Sequence, residues 1–299
     1  MSRLRIPSEA NTAAWFFLAP ALALIGVFFF LPVAASLLLS VTDFDLYGIA
    51  DPANTQFVGF DNYARLLKTP DFWLALRNTF YFAFVGGPLT IAVSLGAALL
   101  LSSKLVRFKS FFRTIYFTPF VTTLVAVAIV WKYLYHTRYG LFNYALGALG
   151  IEPIDWLGDP RFAMPAIILL AVWKNFGYNM IIFVAGLQGI PEELYEAARI
   201  DGAGPWQQFR YITIPMLAPT FLFVGIVTAI GYFQLFAEPY VMTPDGGPLD
   251  STLSVVMLMY EQGFRWWNMG YAAAVAFVLF AIIAVATAIQ FRLQKARQS

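Results

Sequence analysis

The chain is 299 residues long, 60% of its residues are hydrophobic, 12% are charged, and its formal net charge is +2. A soluble domain carries about 25% charged residues, so this composition, with a mean hydropathy of +0.69, excludes an ordinary soluble protein and indicates a membrane protein built as one bundle. The chain contains no cysteine, which excludes disulfides and thiolate metal sites. His136 is the only histidine, and without a second histidine or cysteine no metal site is predicted.

Six apolar segments predict six membrane-spanning helices. Each reaches the length of about 18 residues that a spanning helix needs, and backbone groups in lipid must pair within their own segment, which favours helices. The predicted spans, in chain order, are residues 13–42, 73–103, 111–134, 161–188, 216–238 and 268–291. A single transmembrane domain at 13–292 then lies between a polar N-terminal tail at 1–12 and a C-terminal tail at 293–299.

The basic residues predict which side of the membrane each loop occupies. The two densest clusters, from Lys104 to Arg113 and from Arg292 to Arg297, both fall on the side of the N-terminus when six spans are threaded through the membrane. Because cytoplasmic loops carry an excess of Lys and Arg, both termini are predicted inside, together with the loop at 189–215.

Polar side chains interrupt the fourth and fifth spans. Since buried polar groups are costly in lipid, they are expected to point into the bundle or a cavity. The residues are Lys174, Asn175, Tyr178 and Asn179, which share one helical face, and Tyr232 and Gln234 on the fifth span. Two interpretations stay open for each residue: contact with a transported substrate, or a hydrogen bond that holds neighbouring helices together.

Lys174 has three possible roles. Its ammonium group pairs with an anionic substrate, binds a sugar hydroxyl, or satisfies a backbone carbonyl at a kink. A single lysine without an arginine partner is a poor phosphate site, which favours a neutral sugar over an anion.

The loop at 189–215 has strong helix-boundary signals. Pro191 and the two glutamates after it favour a helix start, and Asp201-Gly202 favours its end because glycine accepts the left-handed conformation. Gly204-Pro205 begins a second short helix, which Pro215 is predicted to close. The sequence therefore predicts an elbow of two short helices joined by a tight corner, projecting as a docking surface on the basic side.

This loop resembles the "EAA" signature of the membrane subunits of ATP-binding-cassette importers. The matching residues are Glu196, Ala197, Ala198, Gly202, Ile212 and Pro215, with Ile214 replacing the usual leucine. The resemblance implies an all-α polytopic fold, the six-transmembrane-helix bundle of type I ABC importer permeases, N-in/C-in, with a cytoplasmic coupling-helix loop. The residues that it implies in ATPase coupling are Glu196, Ala197, Ala198, Asp201, Gly202, Ala203 and Pro215, with the corner inserted in the ATPase cleft and Glu196 orienting it through a charge contact.

Further motifs are similar to permeases for sugars and glycerol phosphate. They are Phe57–Tyr63, Asn78-Thr79, Gly246-Gly247-Pro248 with Thr252, and Gly270–Ala274. The C-terminus lacks the glycine-rich tail of one subunit type, so the chain resembles the other, the maltose-F or glycerol-phosphate-A type. In that type the fourth and fifth spans line the substrate pocket, so the six polar residues above are candidate substrate ligands.

The resemblance also implies partners. They are a second, unlike permease subunit, two ATPase subunits that hold ATP and magnesium, and an extracytoplasmic solute-binding protein, all at a bacterial inner membrane. The chain itself has no phosphate-binding loop of the Gly-x-x-x-x-Gly-Lys type, so no cofactor and no enzymatic activity are predicted for it. A carbohydrate importer is the leading interpretation; an importer of glycerol phosphate or another polar solute, and an ion-coupled secondary transporter, are the alternatives.

Overall fold

The computed structural model describes the backbone of residues 8–103 and 106–298, and the side chains of residues 15–293 apart from those at positions 52, 104 and 105. Regular structure in this described part is helical, with one isolated bridge between Thr42 and Phe57. Most of the predicted N-terminal tail, Lys104 of the first basic cluster and Ser299 lie outside the described residues.

Nine helices carry the argument below. In chain order they are α1 (Trp15–Leu39), α2 (Pro70–Ser102), α3 (Lys109–Val121), α4 (Leu124–Leu134), α5 (Pro160–Gln188), α6 (Glu192–Ile200), α7 (Pro205–Met216), α8 (Ala218–Phe233) and α9 (Met269–Gln298). Shorter helices occupy Leu46–Ala50, Asp61–Lys68, Leu141–Ala148, Ala237–Met242 and Val255–Tyr260. Among the described residues, α1, α2, α5 and α9 are each long and apolar enough to cross a membrane, and the bent pairs α3–α4 and α7–α8 raise the number to six if each pair is one span.

The segment predicted as the third span is not one straight helix. The chain bends by 97° between α3 and α4, and between them Thr122 and Thr123 are extended, with ψ of 148° and 130°. Pro119 lies inside α3, where its ring and missing N–H weaken the helix, and two β-branched residues then favour extended backbone. Local sequence therefore accounts for a break here, although not for its angle.

The predicted fifth span is also shorter than expected. Helix α8 begins at Ala218 and ends at Phe233, so Gln234 is the residue that follows the helix rather than a member of it. Pro215 was predicted to close the preceding helix, and that prediction was wrong, because α7 continues to Met216. A π-turn over Phe209–Thr213 shifts the hydrogen-bond pattern just before the proline, which lets the helix accommodate the missing N–H.

The described chain separates into two compact units. In the first, which comprises residues 8–68 and 259–277, no residue in the apolar stretch of α1 is buried. The amide of Asn62 donates to the carbonyls of Ser40 and Thr42 at 3.0 and 2.7 Å. These bonds give hydrogen-bond partners to backbone carbonyls just after the C-terminus of α1 and connect that end to the helix Asp61–Lys68.

In the second unit, residues 69–258 and 278–299, the central helix α5 packs against α2, α3 and α8. It begins where the carboxylate of Asp159 accepts from the backbone N–H of Arg161 at 2.8 Å. The side-chain hydrogen bond from Arg161 lowers the pKa of Asp159, so this N-cap stays charged.

One end of this unit holds a tightly packed apolar cluster. Its buried members are Ala98, Leu101, Met180, Phe183, Val184, Ile190, Leu217 and Val224. In lipid such contacts stabilise through close packing rather than through the hydrophobic effect. Tyr195 of α6 and Ile212 of α7 pack against the same cluster, so the segment after α5 rests directly on the membrane-spanning core.

Candidate functional site

The segment from Glu192 to Met216, here called the elbow, consists of α6, a four-residue corner and α7. Gly202 has φ of +80°, its N–H donates to the carbonyl of Arg199 at 3.1 Å, and the N–H of Ala203 donates to that of Ala198 at 2.8 Å. This pair of bonds is the Schellman motif, in which a left-handed residue closes the helix end. The corner therefore has one defined backbone geometry, and a glycine suits it best.

Two side chains fix the other side of the corner. The side-chain amide of Gln208 donates to the carbonyl of Ala203 at 2.8 Å, and the side-chain oxygen of Gln207 accepts from the N–H of Gly204 at 2.8 Å. The start of α7 is thus hydrogen-bonded back to the corner, and the two short helices are held as a single body.

The base of the elbow is tied to itself and to the core. The hydroxyls of Tyr195 on α6 and Thr213 on α7 are hydrogen-bonded at 2.9 Å, and Thr213 is buried. Together with the packing of Tyr195 against the apolar cluster, this bond links both helices of the elbow to a cluster that includes residues of α5 and α8.

The tip of the elbow exposes large apolar side chains. Ile200 is 87% exposed and Trp206 is 72% exposed, on either side of the corner. The structure thus combines a preorganised corner with exposed apolar side chains on both of its flanks.

The predicted coupling residues are all on the elbow. Glu196, Ala197, Asp201, Gly202 and Pro215 are exposed, whereas Ala198 and Ala203 are half-buried beneath them. The carboxylate of Glu196 lies 4.0 Å from the guanidinium of Arg199; exposed pairs of this type contribute at most about 1 kcal/mol, so Glu196 remains accessible to a partner's charge.

Two of the predicted polar residues, Asn179 and Tyr232, form buried hydrogen bonds between helices. Asn179, only 3% exposed, donates to the hydroxyl of Thr228 on α8 at 2.9 Å, and the hydroxyls of Tyr232 and Thr90 are hydrogen-bonded between α8 and α2. These buried bonds hold α2, α5 and α8 together.

The remaining predicted ligands lie in three different surroundings. The side-chain amide of Asn175 donates to the carbonyl of Ala171 within α5 at 2.9 Å. Tyr178 stacks on Phe120 with ring centres 4.6 Å apart, and Lys174 donates to carbonyls at the end of α3. Gln234 is exposed beyond the end of α8. Asn175 also interacts with the hydroxyl of Tyr232 on α8, whereas Lys174 and Tyr178 contact α3.

A cavity of about 760 Å³ lies between α2, α8 and α9. Its walls are almost wholly apolar, with Phe80, Phe84 and Phe233 on one side and residues of α9 on the other, and none of the six predicted ligands lines it. Such a surface suits hydrocarbon rather than a polar solute.

Sequence reasoning missed three buried hydroxyl groups that hydrogen-bond to other helices, two of them to the predicted residues Tyr232 and Asn179. Thr90 and Ser94 on α2 and Thr228 on α8 are buried and hydrogen-bonded to other helices. A threonine or serine within an apolar run looks neutral in the sequence. These residues could have been found from their small size and their hydroxyl group, because both favour close packing between spanning helices.

Comparison with known proteins agrees with this geometry. A family model described as "Binding-protein-dependent transport system inner membrane component" matches residues 91–298. The lactose transport system permease protein LacF of Rhizobium radiobacter is 40% identical over 99% of both chains, and the arabinooligosaccharides transport system permease protein AraP of Bacillus subtilis (strain 168) is 34% identical over 96% of this chain and 94% of that protein.

A solved structure shares the fold. It is the crystal structure of a bacterial alginate ABC transporter in complex with alginate pentasaccharide-bound periplasmic protein, one chain of which matches with a TM-score of 0.75 and 20% identity, over 94% of this chain and 93% of that one. These findings confirm the resemblance carried by the loop around Gly202: the chain belongs to the family of binding-protein-dependent transport system inner membrane components.

Proposed function

We propose that this chain is one of two unlike permease subunits of an ATP-binding-cassette importer, and that it moves a neutral mono- or oligosaccharide delivered by a solute-binding protein. The observation that carries the proposal is the elbow, whose corner at Gly202 is fixed by the backbone and whose tip is apolar and exposed. A transport subunit without its own phosphate-binding loop needs a surface through which partner ATPases act on it.

The elbow has the properties that force transmission requires. Its corner is held by Schellman bonds and by Gln208, so a push on the tip moves both short helices together. Its base packs through Tyr195 and Ile212 on the buried apolar cluster, which includes residues of α5 and α8, so the same push reaches those two helices. Closure of two ATPase subunits that hold ATP and magnesium thereby changes the tilt of the spans.

The membrane topology of the proposal has six spans with both termini inside. Each bent pair, α3–α4 and α7–α8, counts as one span, and the predicted boundaries of the remaining four are close to α1, α2, α5 and α9. The excess of basic residues in the inside segments supports this orientation, which makes the elbow cytoplasmic and leaves the loop after α8 facing the binding protein.

The proposed substrate class rests on the relatives and on the chemistry of the spans. LacF and AraP are named for lactose and for arabinooligosaccharides. Amide and phenol groups hydrogen-bond sugar hydroxyls, and Asn175, Tyr178 and Gln234 keep partly or fully exposed side chains that are suited to this. Glycerol phosphate or another polar solute is the alternative substrate, and the single Lys174 is a weak basis for an anion.

The test is uptake into proteoliposomes that contain the purified full transporter. Labelled lactose and arabino-oligosaccharides are supplied outside with the binding protein, and ATP is supplied inside, with no ion gradient. We expect uptake that requires both ATP and the binding protein. Uptake driven by an ion gradient without ATP contradicts the importer assignment, and uptake of glycerol phosphate in preference to sugars contradicts the substrate class.

A further inference from the structure

The break between α3 and α4 exposes a helix end within the membrane-spanning part of the chain. The last carbonyls of α3 have no partner within their own helix, and the next two residues are extended. An unpaired carbonyl away from water costs about as much as a lost hydrogen bond or more, so a helix end in this position needs donors from elsewhere in the structure.

The Thr122 hydroxyl donates to the carbonyl of Pro119 at 2.6 Å, and Lys174 of α5 supplies three further donors. Its Nζ lies 3.1 Å from the carbonyl oxygen of Pro119, 3.3 Å from that of Phe120 and 2.8 Å from that of Thr122. An ammonium group has three N–H donors and no acceptor, so these three carbonyls use its full capacity. The positive charge also faces the negative end of the α3 dipole, where a cation is favourable.

Two further residues of α5 contact the same end of α3. Gly177 packs against the carbonyl of Tyr116 so closely that a Cβ has no room there, and the ring of Tyr178 stacks on Phe120. Lys174, Gly177 and Tyr178 occupy positions i, i+3 and i+4 on one face of α5, and all three contact α3 near its broken end. Among charged groups, Glu238 interacts electrostatically with the Lys174 ammonium.

We propose that Lys174 is a built-in cation that holds the third span in its broken form, in the place that a bound Na⁺ takes at broken helices of ion-coupled transporters. Lys174 is then a positioning residue rather than a substrate ligand, because all its donors are used by backbone carbonyls. The part of this inference that concerns transport rests on the proposed function; the part that concerns the break does not.

The direct test measures the break itself. The chain has no cysteine, so spin labels on cysteines placed at the exposed positions Phe111 and Tyr133 report the distance across it. With a rise of 1.5 Å per residue and the 97° bend, the two backbone positions are about 22 Å apart, against about 33 Å for a straight helix.

In Lys174→Met we expect the distance distribution in the assembled transporter to widen and move to longer values. Lys174→Arg keeps a charged donor, and n-propylammonium added to Lys174→Ala replaces the missing atoms; both are expected to restore the short distance. Lys132→Met, which removes an exposed lysine of α4 whose ammonium donates to the carbonyl of Val241 at 3.5 Å, is the matched control. An unchanged distance in Lys174→Met overturns the proposal.

Transport kinetics separate positioning from substrate contact. A positioning role lowers the maximal uptake rate of Lys174→Met with little change in KM, and n-propylammonium partly restores the rate in Lys174→Ala. A raised KM with an unchanged maximal rate assigns Lys174 to the substrate and contradicts the inference. Because the distance measurement needs neither substrate nor ATP, it stands or falls independently of the importer assignment.

Discussion

Replacing Gly202 by alanine tests whether the geometry of the elbow corner matters for coupling. The backbone at Gly202 is left-handed, with φ of +80°, and no described atom outside its two chain neighbours lies within 4 Å of the position that a Cβ takes there. The substitution therefore introduces no clash, and its effect comes from backbone strain alone.

The expected magnitude follows from this conformation. A left-handed backbone costs an L-residue with a Cβ about 1–2 kcal/mol relative to glycine. This cost lowers the ratio of elbows with the hydrogen-bonded corner to elbows in which the corner bonds are broken by about 5–30-fold. Asparagine tolerates this region better, so Gly202→Asn is expected to be milder. Gly202→Pro fixes φ near −65° and removes the N–H that bonds Arg199, so it is expected to abolish transport while membrane insertion is retained.

Gly204 offers a matched control in the same corner. Its φ is −70°, and the nearest described atom to a Cβ there is the Gln207 side-chain oxygen at 3.8 Å. Gly204→Ala therefore adds no left-handed strain and is expected to be clearly milder than Gly202→Ala, its remaining cost being that of alanine at the N-cap of α7. Hydrogen exchange of the corner amides in the assembled transporter measures the opening, and ATP-dependent uptake measures its consequence. Unchanged exchange in Gly202→Ala, or equal damage from Gly204→Ala, refutes the reasoning.

Three further substitutions test other contacts. Gly177→Ala is expected to destabilise the transporter by about 1–3 kcal/mol or more, since its Cβ overlaps a backbone carbonyl, whereas Gly96→Ala, with no described atom near its Cβ, is neutral or stabilising in a thermal melt. Asn179→Ala removes a buried interhelical bond and is expected to lower stability by about 1–3 kcal/mol with an unchanged KM for uptake; a large rise in KM identifies it as a substrate ligand instead. Tyr195→Phe removes the hydrogen bond to Thr213 and is expected to lower stability by about 1 kcal/mol and to reduce the amount of solute transported per ATP hydrolysed. A transport-to-ATP ratio equal to that of the wild type contradicts this prediction.

The elbow was predictable because its signals are local. Helix start and end depend on a few neighbouring residues, and both the start after Pro191 and the left-handed end at Gly202 are where the sequence placed them. Pro215 is the exception, because the π-turn that accommodates it has no clear signature in the chain.

The polar residues of α5 show where sequence reasoning stops. Their spacing correctly indicates one side of the helix, but the neighbours of that side come from distant parts of the chain. Asn179 meets α8, and Lys174 meets a carbonyl 52 positions earlier in the chain, that of Thr122. The same limit applies to the break after α3: Pro119 suggests a weak point, whereas the angle depends on contacts that only the folded chain brings together.

The central claim is that ATPase subunits act on the elbow from the cytosolic side. A single cysteine at Ile200, exposed at the tip, can be introduced into this cysteine-free chain and tested for cross-linking in the assembled transporter. We predict a cross-link to an ATPase subunit whose yield changes on addition of ATP, and protection from membrane-impermeant thiol reagents applied outside intact cells. Labelling of this cysteine from the outside, without any cross-link to an ATPase, contradicts the account.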